Sequence, residues 1–559
     1  MFDYKHAVIY QIWPRSFQDS DRNGIGDLNG IRSRLDYLSD LGIDAIWLSP
    51  VYASPNTDYG YDISDYYAVN PEYGTMEDLK LLIREAKERH IAILMDLVAN
   101  HTSTRHPWFQ EALKNPDSPY RDWYIFRKGT VSSPPNNWLS FFGVSAWQKA
   151  EDDMWYLTLY TEQQADLNWR CPEVRKEIAK IVNFYLDLGV EGFRLDTINT
   201  IDKDPNFPSQ NPEKKGLQFP GNLVLDRPMV KQWLKELEEE SWGRRDAFAL
   251  GEGVMTTEAS VKEYCGNGKP LQMMFQFDTV CLGYGELGKY DPRKLYLITN
   301  QQFKQVTRKW MTAQQRDHTW LGNYLSNHDH KRHLDRFGND GKYRVRSAEM
   351  LALYNFTLYG TPFIYQGEEI AMTNPKLKKQ DWRDYEAFHS SKAMTEILHI
   401  PPFLAEKITS FVDRDNARTP MQWSDQKNAG FTEGVPWIQV NPDYPAWNVK
   451  SEQADPDSVL NFYQALIRLH HEHEALCTGS WRELIPDHPH VLAYVRENEE
   501  ERLTVILNLS RHAQKAVLPE NEIVPSEDLL TSTVPRALTA EMKLLPYEAH
   551  LFLHRKHHS

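Results

Sequence analysis

The stretch "GFRLDTINT", Gly192–Thr200, sets an arginine and an aspartate two residues apart inside an apolar run. Gly192-Phe193-Arg194-Leu195-Asp196 reads as a buried strand, yet it carries two charges that a core normally refuses. Working outward, similar short runs recur: "AVIYQIWP" from Ala7, "AIWLSP" from Ala45, "AILMDLV" from Ala92, "AFALGEG" from Ala247, "QMMFQFD" from Gln272, "GNYLSNHD" from Gly322 and "GTPFIYQGEE" from Gly360. Amphipathic helical patterns such as "TMEDLKLLIREAKERH" and "EVRKEIAKIVNFYLDLG" lie between them. Strands alternating with helices predict an α/β fold, a parallel (β/α)8 barrel of the TIM type rather than an open doubly wound sheet.

Two intervals break the rhythm. Residues 102–174, rich in Pro, Ser, Asn and Trp, read as a subdomain inserted after the third strand, and residues from about 373 to 448 as an irregular subdomain after the eighth. Beyond Cys477, "HVLAYVREN" and "RLTVILNLS" flank the polar turn "ENEEER" and predict a C-terminal antiparallel β domain. The expected division is barrel at 1–101 and 175–477, insertion at 102–174, and β domain at 478–559.

The 559 residues are 41% hydrophobic and 25% charged, a globular composition. A net charge of −15 disfavours nucleic acid, whose binding depends on Lys/Arg–phosphate contacts. No apolar run approaches the roughly 20 residues of a membrane span, and the N-terminus has no basic-then-apolar leader, so a cytoplasmic protein that binds no membrane is expected. Cys171, Cys265, Cys281 and Cys477 show no CxxC spacing, which predicts free thiols rather than a zinc cage or disulfide framework.

In such a barrel the chemistry sits at the C-terminal ends of the strands. Asp96, Asn100 and His101 end the third predicted strand, Asp196 the fourth, Glu252 the fifth, and His328 and Asp329 the seventh. Several carboxylates at one mouth cannot all keep ordinary pKa values, and repulsion yields a protonated acid beside an ionised nucleophile. A retaining glycosidase uses that division of labour.

The segments "DLVANH", "QADLNW", "GFRLDTIN", "GEG" and "SNHD" occur in this order, joined by "NTDYGYDISDY", "FFGVSAW" and "RDNARTPMQW". Through them the sequence resembles the α-amylase superfamily of glycoside hydrolases over nearly its whole length, most closely the oligo-1,6-glucosidase and α-glucosidase branch. The resemblance implies Asp196 as nucleophile, Glu252 as general acid/base and Asp329 as the third carboxylate, gripping the sugar 2- and 3-hydroxyls. Arg194 would hold Asp196 ionised, His101 and His328 would donate to the same sugar, and Asp96 would support His101 and Arg194 from behind. Tyr61 would stack under the terminal glucose, and Asp58 with Arg414 would close the pocket floor, making the enzyme exo-acting. Phe142, Tyr160 and Gln164 are further pocket candidates. The chain departs from the branch's usual pattern at Ala165 and Ala99, neither of them a reacting group.

In "DSDRNGIGDLNG" from Asp19, oxygen-bearing side chains fall at Asp19, Asp21, Asn23 and Asp27 with the Ile25 carbonyl between them, the alternation of a loop that wraps Ca²⁺. An EF-hand would need glutamate where Gly30 stands. The resembled branch often carries structural calcium here, usually with Asp in place of Asn23. No organic cofactor is expected.

Thr197 follows the implied nucleophile. In the resembled branch valine there accompanies α-1,6 activity, while alanine or threonine accompanies α-1,4 activity. The expectation is therefore a maltase-type α-glucosidase acting on small oligosaccharides, as a monomer or weak homo-oligomer. Oligo-1,6-glucosidase comes next, then sucrose isomerase or hydrolase, then phosphotrehalase. A non-catalytic transporter heavy chain shares the barrel but would carry a transmembrane helix and lack the acidic triad.

Overall fold

In the computed structural model, which describes residues 2–151, 153–286, 288–294 and 297–556, the run 192–196 is a wholly buried parallel strand. It is the fourth of eight: β1 (Ile9–Ile12), β2 (Ala45–Leu48), β3 (Ala92–Val98), β4 (Gly192–Asp196), β5 (Phe248–Glu252), β6 (Met273–Phe275), β7 (Gly322–Asn323) and β8 (Thr361–Tyr365). Their order is β6-β5-β4-β3-β2-β1-β8-β7, and a parallel bridge from Met274 to Leu321 joins the two ends. The sheet is thus a closed barrel, which leaves no strand edge unpaired.

Helices α1 (Leu35–Leu41), α2 (Met76–Glu88), α3 (Pro172–Asp187), α4 (Pro228–Glu240), α5 (Glu258–Tyr264), α6 (Asn300–Asp317), α7 (Arg344–Thr357) and α8 (Val459–Glu472) surround it. Their starts follow local chemistry. Thr75 and Asp78 form a capping box at α2, and Pro172 occupies the first turn of α3. Leu79, Leu82, Ile83 and Ala86 make one buried stripe along α2 against the barrel.

Both faces of the strands are therefore covered, so β4 buries Phe193 and Leu195 on one face and Arg194 and Asp196 on the other. Arg194 sits in register with Asp96 of β3 and Leu250 of β5. Gly192 permits the close approach: a Cβ there would lie 2.5 Å from the Phe248 carbonyl oxygen.

After β3 the chain pairs His101–Ser103 with Gln164–Asp166, and between them builds a small sheet from Phe126–Lys128, Trp147–Lys149 and Met154–Leu157. After β8 it forms helices Tyr385–Glu396 and Pro402–Val412 and then a 3-10 turn at Arg414–Asn416. The C-terminal strands are β9 (Ser480–Glu483), β10 (Val491–Glu497), β11 (Glu501–Asn508), β12 (Gln514–Val517), β13 (Glu527–Thr531), β14 (Glu541–Leu544) and β15 (Ala549–Arg555). They form an antiparallel sheet in the order β9-β10-β11-β15-β13 and a separate β12-β14 pair. Residues 1 and 557–559, the extreme ends of the expected division, lie outside the described residues. The four cysteines are free. Among the described residues no helix is long and apolar enough to cross a membrane.

Candidate active site

Arg194 answers for its own burial. One guanidinium meets three carboxylates: Nη1 donates to Asp96 Oδ1 at 2.5 Å and to Asp196 Oδ1 at 2.8 Å, and Nη2 lies 2.5 Å from Glu252 Oε1. Thr197 bridges the same pair, its N–H donating to Glu252 Oε2 at 3.1 Å and its hydroxyl to Asp196 Oδ2 at 3.2 Å. It does so from a left-handed backbone (φ 41°), a conformation that disfavours a β-branched residue and is kept where the surroundings demand it.

A single cation cannot neutralise three buried carboxylates, so the group retains protons. Burial pushes Asp196 up to about 7, against the pull of Arg194. Burial likewise pushes Glu252 up to about 7, with Arg194 opposing and Asp196 and Asp329 adding repulsion. Both carboxyls are thus shifted towards neutrality, which suits one of them to carry a proton. Asp96, raised by burial to about 6, accepts from Trp47 Nε1 at 2.9 Å and from the Tyr61 hydroxyl at 3.2 Å.

Asp329 has the opposite electrostatics. Burial raises its pKa, but His328, Arg414 and Arg418 together hold it well below the usual carboxylate range. Arg414 Nη1 donates to Asp329 Oδ1 at 2.8 Å, and His328 Nε2 lies 3.0 Å from Oδ2. Gln11 Nε2 donates to His328 Nδ1 at 2.8 Å, which leaves Nε2 as the nitrogen that carries hydrogen. Burial lowers His328 to about 4, so the ring is neutral, and it is stacked between Trp13 and Tyr61 at 5.2 Å from each.

The residues expected at the pocket floor meet one another. Arg414 Nη2 donates to Asp58 Oδ1 at 2.8 Å, and Asp58 Oδ2 accepts from Gln164 Nε2 at 3.2 Å. Gln164 Nε2 lies 3.0 Å from His101 Nε2, and the His101 ring packs 5.1 Å from Tyr160. The Phe142 ring lies 5.5 Å from the Arg414 guanidinium. The structure thus gathers Asp58, Tyr61, His101, Phe142, Tyr160, Gln164, Arg194, Asp196, Thr197, Glu252, His328, Asp329 and Arg414 around one mouth. One supporting contact differs from expectation: Asp96 backs Arg194 but not His101, which is held by Asn100, Gln164 and the Tyr61 carbonyl.

Sequence reasoning missed several partners. Asp384 clamps Arg414 with two hydrogen bonds of 2.8 Å, Arg418 reaches Asp329 at 3.3 Å, and Lys289 pairs with Glu386 at 2.5 Å beside the clamp. Asp384 and Glu386 lie in the irregular stretch after β8, where no periodicity flags them.

In the loop after β1, Asp19, Asp21 and Asp27 bring carboxylate oxygens within 4.8 Å of one another. Desolvation raises the Asp21 carboxyl, and Asp19 and Asp27 add to it against the Asn23 N–H. Asn23 Oδ1 accepts from the Ile25 N–H at 2.7 Å, and Asp27 caps the helix Leu28–Arg32 through Gly30 N at 2.7 Å. Hard oxygen donors that repel one another suit a divalent cation such as Ca²⁺.

A closed (β/α)8 barrel that gathers three carboxylates, Asp196, Glu252 and Asp329, at one mouth has the architecture of a glycoside hydrolase. The chain belongs to the α-amylase family: residues 11–479 match the alpha amylase catalytic domain and residues 491–550 the alpha-amylase SusG C-terminal domain. It is 43% identical to an oligo-1,6-glucosidase of Parageobacillus thermoglucosidasius over 98% of each chain, and 39% identical to an alpha-glucosidase of Pediococcus pentosaceus over 98% of each. The crystal structure of Bacillus licheniformis trehalose-6-phosphate hydrolase superposes with a TM-score of 0.93 at 38% identity, covering 99% of this chain and 100% of that one.

Proposed function

We propose that the protein is an exo-acting, retaining α-glucosidase that releases α-glucose from the non-reducing end of short α-1,4-linked glucosides such as maltose. The observation that carries this reading is the shared grip of Arg194 and Thr197 on Asp196 and Glu252. That grip suits the separation of about 5–5.5 Å at which one carboxylate attacks while the other protonates the leaving oxygen.

Asp196 attacks the anomeric carbon as Glu252 gives its proton to the departing sugar; water, deprotonated by Glu252, then cleaves the glucosyl ester. Asp329, kept ionised by its cations, binds sugar hydroxyls more tightly as positive charge develops on the ring. His101 and His328 donate to the same sugar, and Tyr61 stacks beneath it. Asp58 and Arg414 hold the 4-hydroxyl and leave room only for a chain end. The α-1,4 bias rests on Thr197. A second reading, α-1,6 preference, is favoured by the 43% identity to an oligo-1,6-glucosidase. Comparing kcat/KM for maltose, isomaltose, sucrose, trehalose and trehalose 6-phosphate separates these readings.

The loop after β1 would hold Ca²⁺ through Asp19, Asp21, Asn23, the Ile25 carbonyl and Asp27. It is a structural ion in this reading, because the loop contributes no group to the catalytic cluster.

A further inference from the structure

His101 is backed by a buried charge pair. Lys203, just past the 3-10 turn Ile198–Thr200 that follows β4, and Asp166, at the end of the strand Gln164–Asp166, are both buried, with Nζ 2.8 Å from Oδ1. The desolvation of such a pair can outweigh its attraction, so stability alone is a weak reason for it.

The Asn100 carboxamide stands between the two charges. Its Oδ1 accepts from Lys203 Nζ at 2.7 Å, and its Nδ2 donates to Asp166 Oδ1 at 3.0 Å. The Thr200 hydroxyl also lies 3.2 Å from Asn100 Oδ1, but its one hydrogen is nearer the Thr197 carbonyl, at 2.8 Å. With a cation on its oxygen and an anion on its nitrogen, the amide is held in one direction. The second hydrogen of Nδ2 then faces His101 Nδ1, 3.2 Å away.

Burial lowers His101 to about 4, so near neutrality its ring holds one hydrogen. With Nδ1 accepting from Asn100, that hydrogen sits on Nε2, which lies 3.1 Å from the Tyr61 carbonyl. Gln164 Nε2, 3.0 Å from the same nitrogen, has Asp58 Oδ2 and the Tyr61 carbonyl to take its own two hydrogens, each at 3.2 Å. An amide turned the other way would offer oxygen to Nδ1, draw the ring hydrogen there and leave Nε2 only an acceptor.

We propose that Lys203 and Asp166 are positioning residues: together they orient the Asn100 amide so that His101 carries its hydrogen on Nε2 and can donate it to the sugar. This rests on the reading of His101 as a sugar donor, but the tautomer is measured without substrate, so the two can fail separately.

The test is 15N NMR of the full chain labelled at histidine, with the His101 signals assigned by their absence from His101→Gln. Wild type should carry the hydrogen on Nε2. Asn100→Asp, which puts an oxygen where Nδ2 stands, should carry it on Nδ1. In Lys203→Met the buried Asp166 loses its cation and takes up a proton, so both tautomers should appear. On p-nitrophenyl α-glucoside, kcat/KM should fall about tenfold or more in either variant. Neither substitution should lower it further when added to His101→Gln, whereas a merely structural role would cost as much in that background. Expected tautomers beside a fully active His101→Gln would support the orientation and count against the sugar-donor reading. Hydrogen on Nδ1 in wild type, an unchanged tautomer in either variant, or losses that persist in the His101→Gln background would overturn the proposal.

Discussion

Arg414 donates to Asp329, Nη1 to Oδ1 at 2.8 Å, while its other nitrogens hold Asp58 and Asp384. One side chain from the turn after Pro402–Val412 thus orients both the third carboxylate and the pocket floor. Removing one partner of such a buried network costs about 3–5 kcal/mol of stability, and it leaves Asp329 and Asp58 without the cation that orients both. Arg414→Ala should therefore lower kcat/KM on maltose by a hundredfold or more, raising KM and lowering kcat together. Steady-state kinetics check this, and a wild type that cut amylose internally would contradict a closed floor.

The raised carboxyls of Asp196 and Glu252 set the pH response. Activity needs one proton on the pair, so kcat/KM should fall on the acid side as Asp196 is protonated and on the alkaline side as Glu252 loses its proton. Both groups lie at about 7, which places the bell around neutrality. In Glu252→Gln the alkaline limb should vanish for p-nitrophenyl α-glucoside, whose leaving group needs no acid. Maltose hydrolysis should drop by about 10²–10⁴-fold, the usual worth of general acid catalysis. Profiles of kcat/KM on both substrates test this.

Much of this was legible in the chain. Most barrel strands announced themselves as short apolar runs, because a parallel strand covered on both faces leaves few positions for polar residues, whereas β7 is only Gly322–Asn323 within a polar run. The charges that violated the pattern, Arg194, Asp196 and Glu252, meet one another at the strand ends. Asp384, Gln11 and Arg418 were not legible. Each matters through a partner distant in sequence, and nothing local distinguishes them from loop or strand polar residues. The misplaced contact between Asp96 and His101 has the same origin. Both fall in the run read as the third strand, but the Asp96 side chain bonds Arg194, while His101 lies past β3 in the strand that pairs with Gln164–Asp166.

If the Asp19–Asp27 loop binds Ca²⁺, exhaustive chelation should lower Tm while leaving the initial rate at moderate temperature almost unchanged. A ligand bound only by the folded state stabilises it by about 2.7 kcal/mol at a hundred times its Kd. Differential scanning calorimetry with elemental analysis checks this; an unchanged melting curve and no bound metal would leave a Gly/Asp turn.

Thr197 tests the linkage preference. In the α-1,4 reading the Thr197 hydroxyl offers the second sugar one contact worth about 0.5–1.5 kcal/mol, which Thr197→Val removes. Wild type should favour maltose over isomaltose, and the variant should narrow or invert that ratio by roughly three- to tenfold. Paired kcat/KM values decide it. A wild type that prefers isomaltose would assign the enzyme to α-1,6 bonds.

The central claim is that Asp196 forms a covalent glucosyl ester which Glu252 then helps water to cleave. Two inversions at the anomeric carbon return its starting configuration. Proton NMR of maltose hydrolysis, recorded before mutarotation, reads this directly. The account predicts α-glucose as the first sugar released by wild type and no turnover by Asp196→Asn. Initial appearance of β-glucose would contradict it.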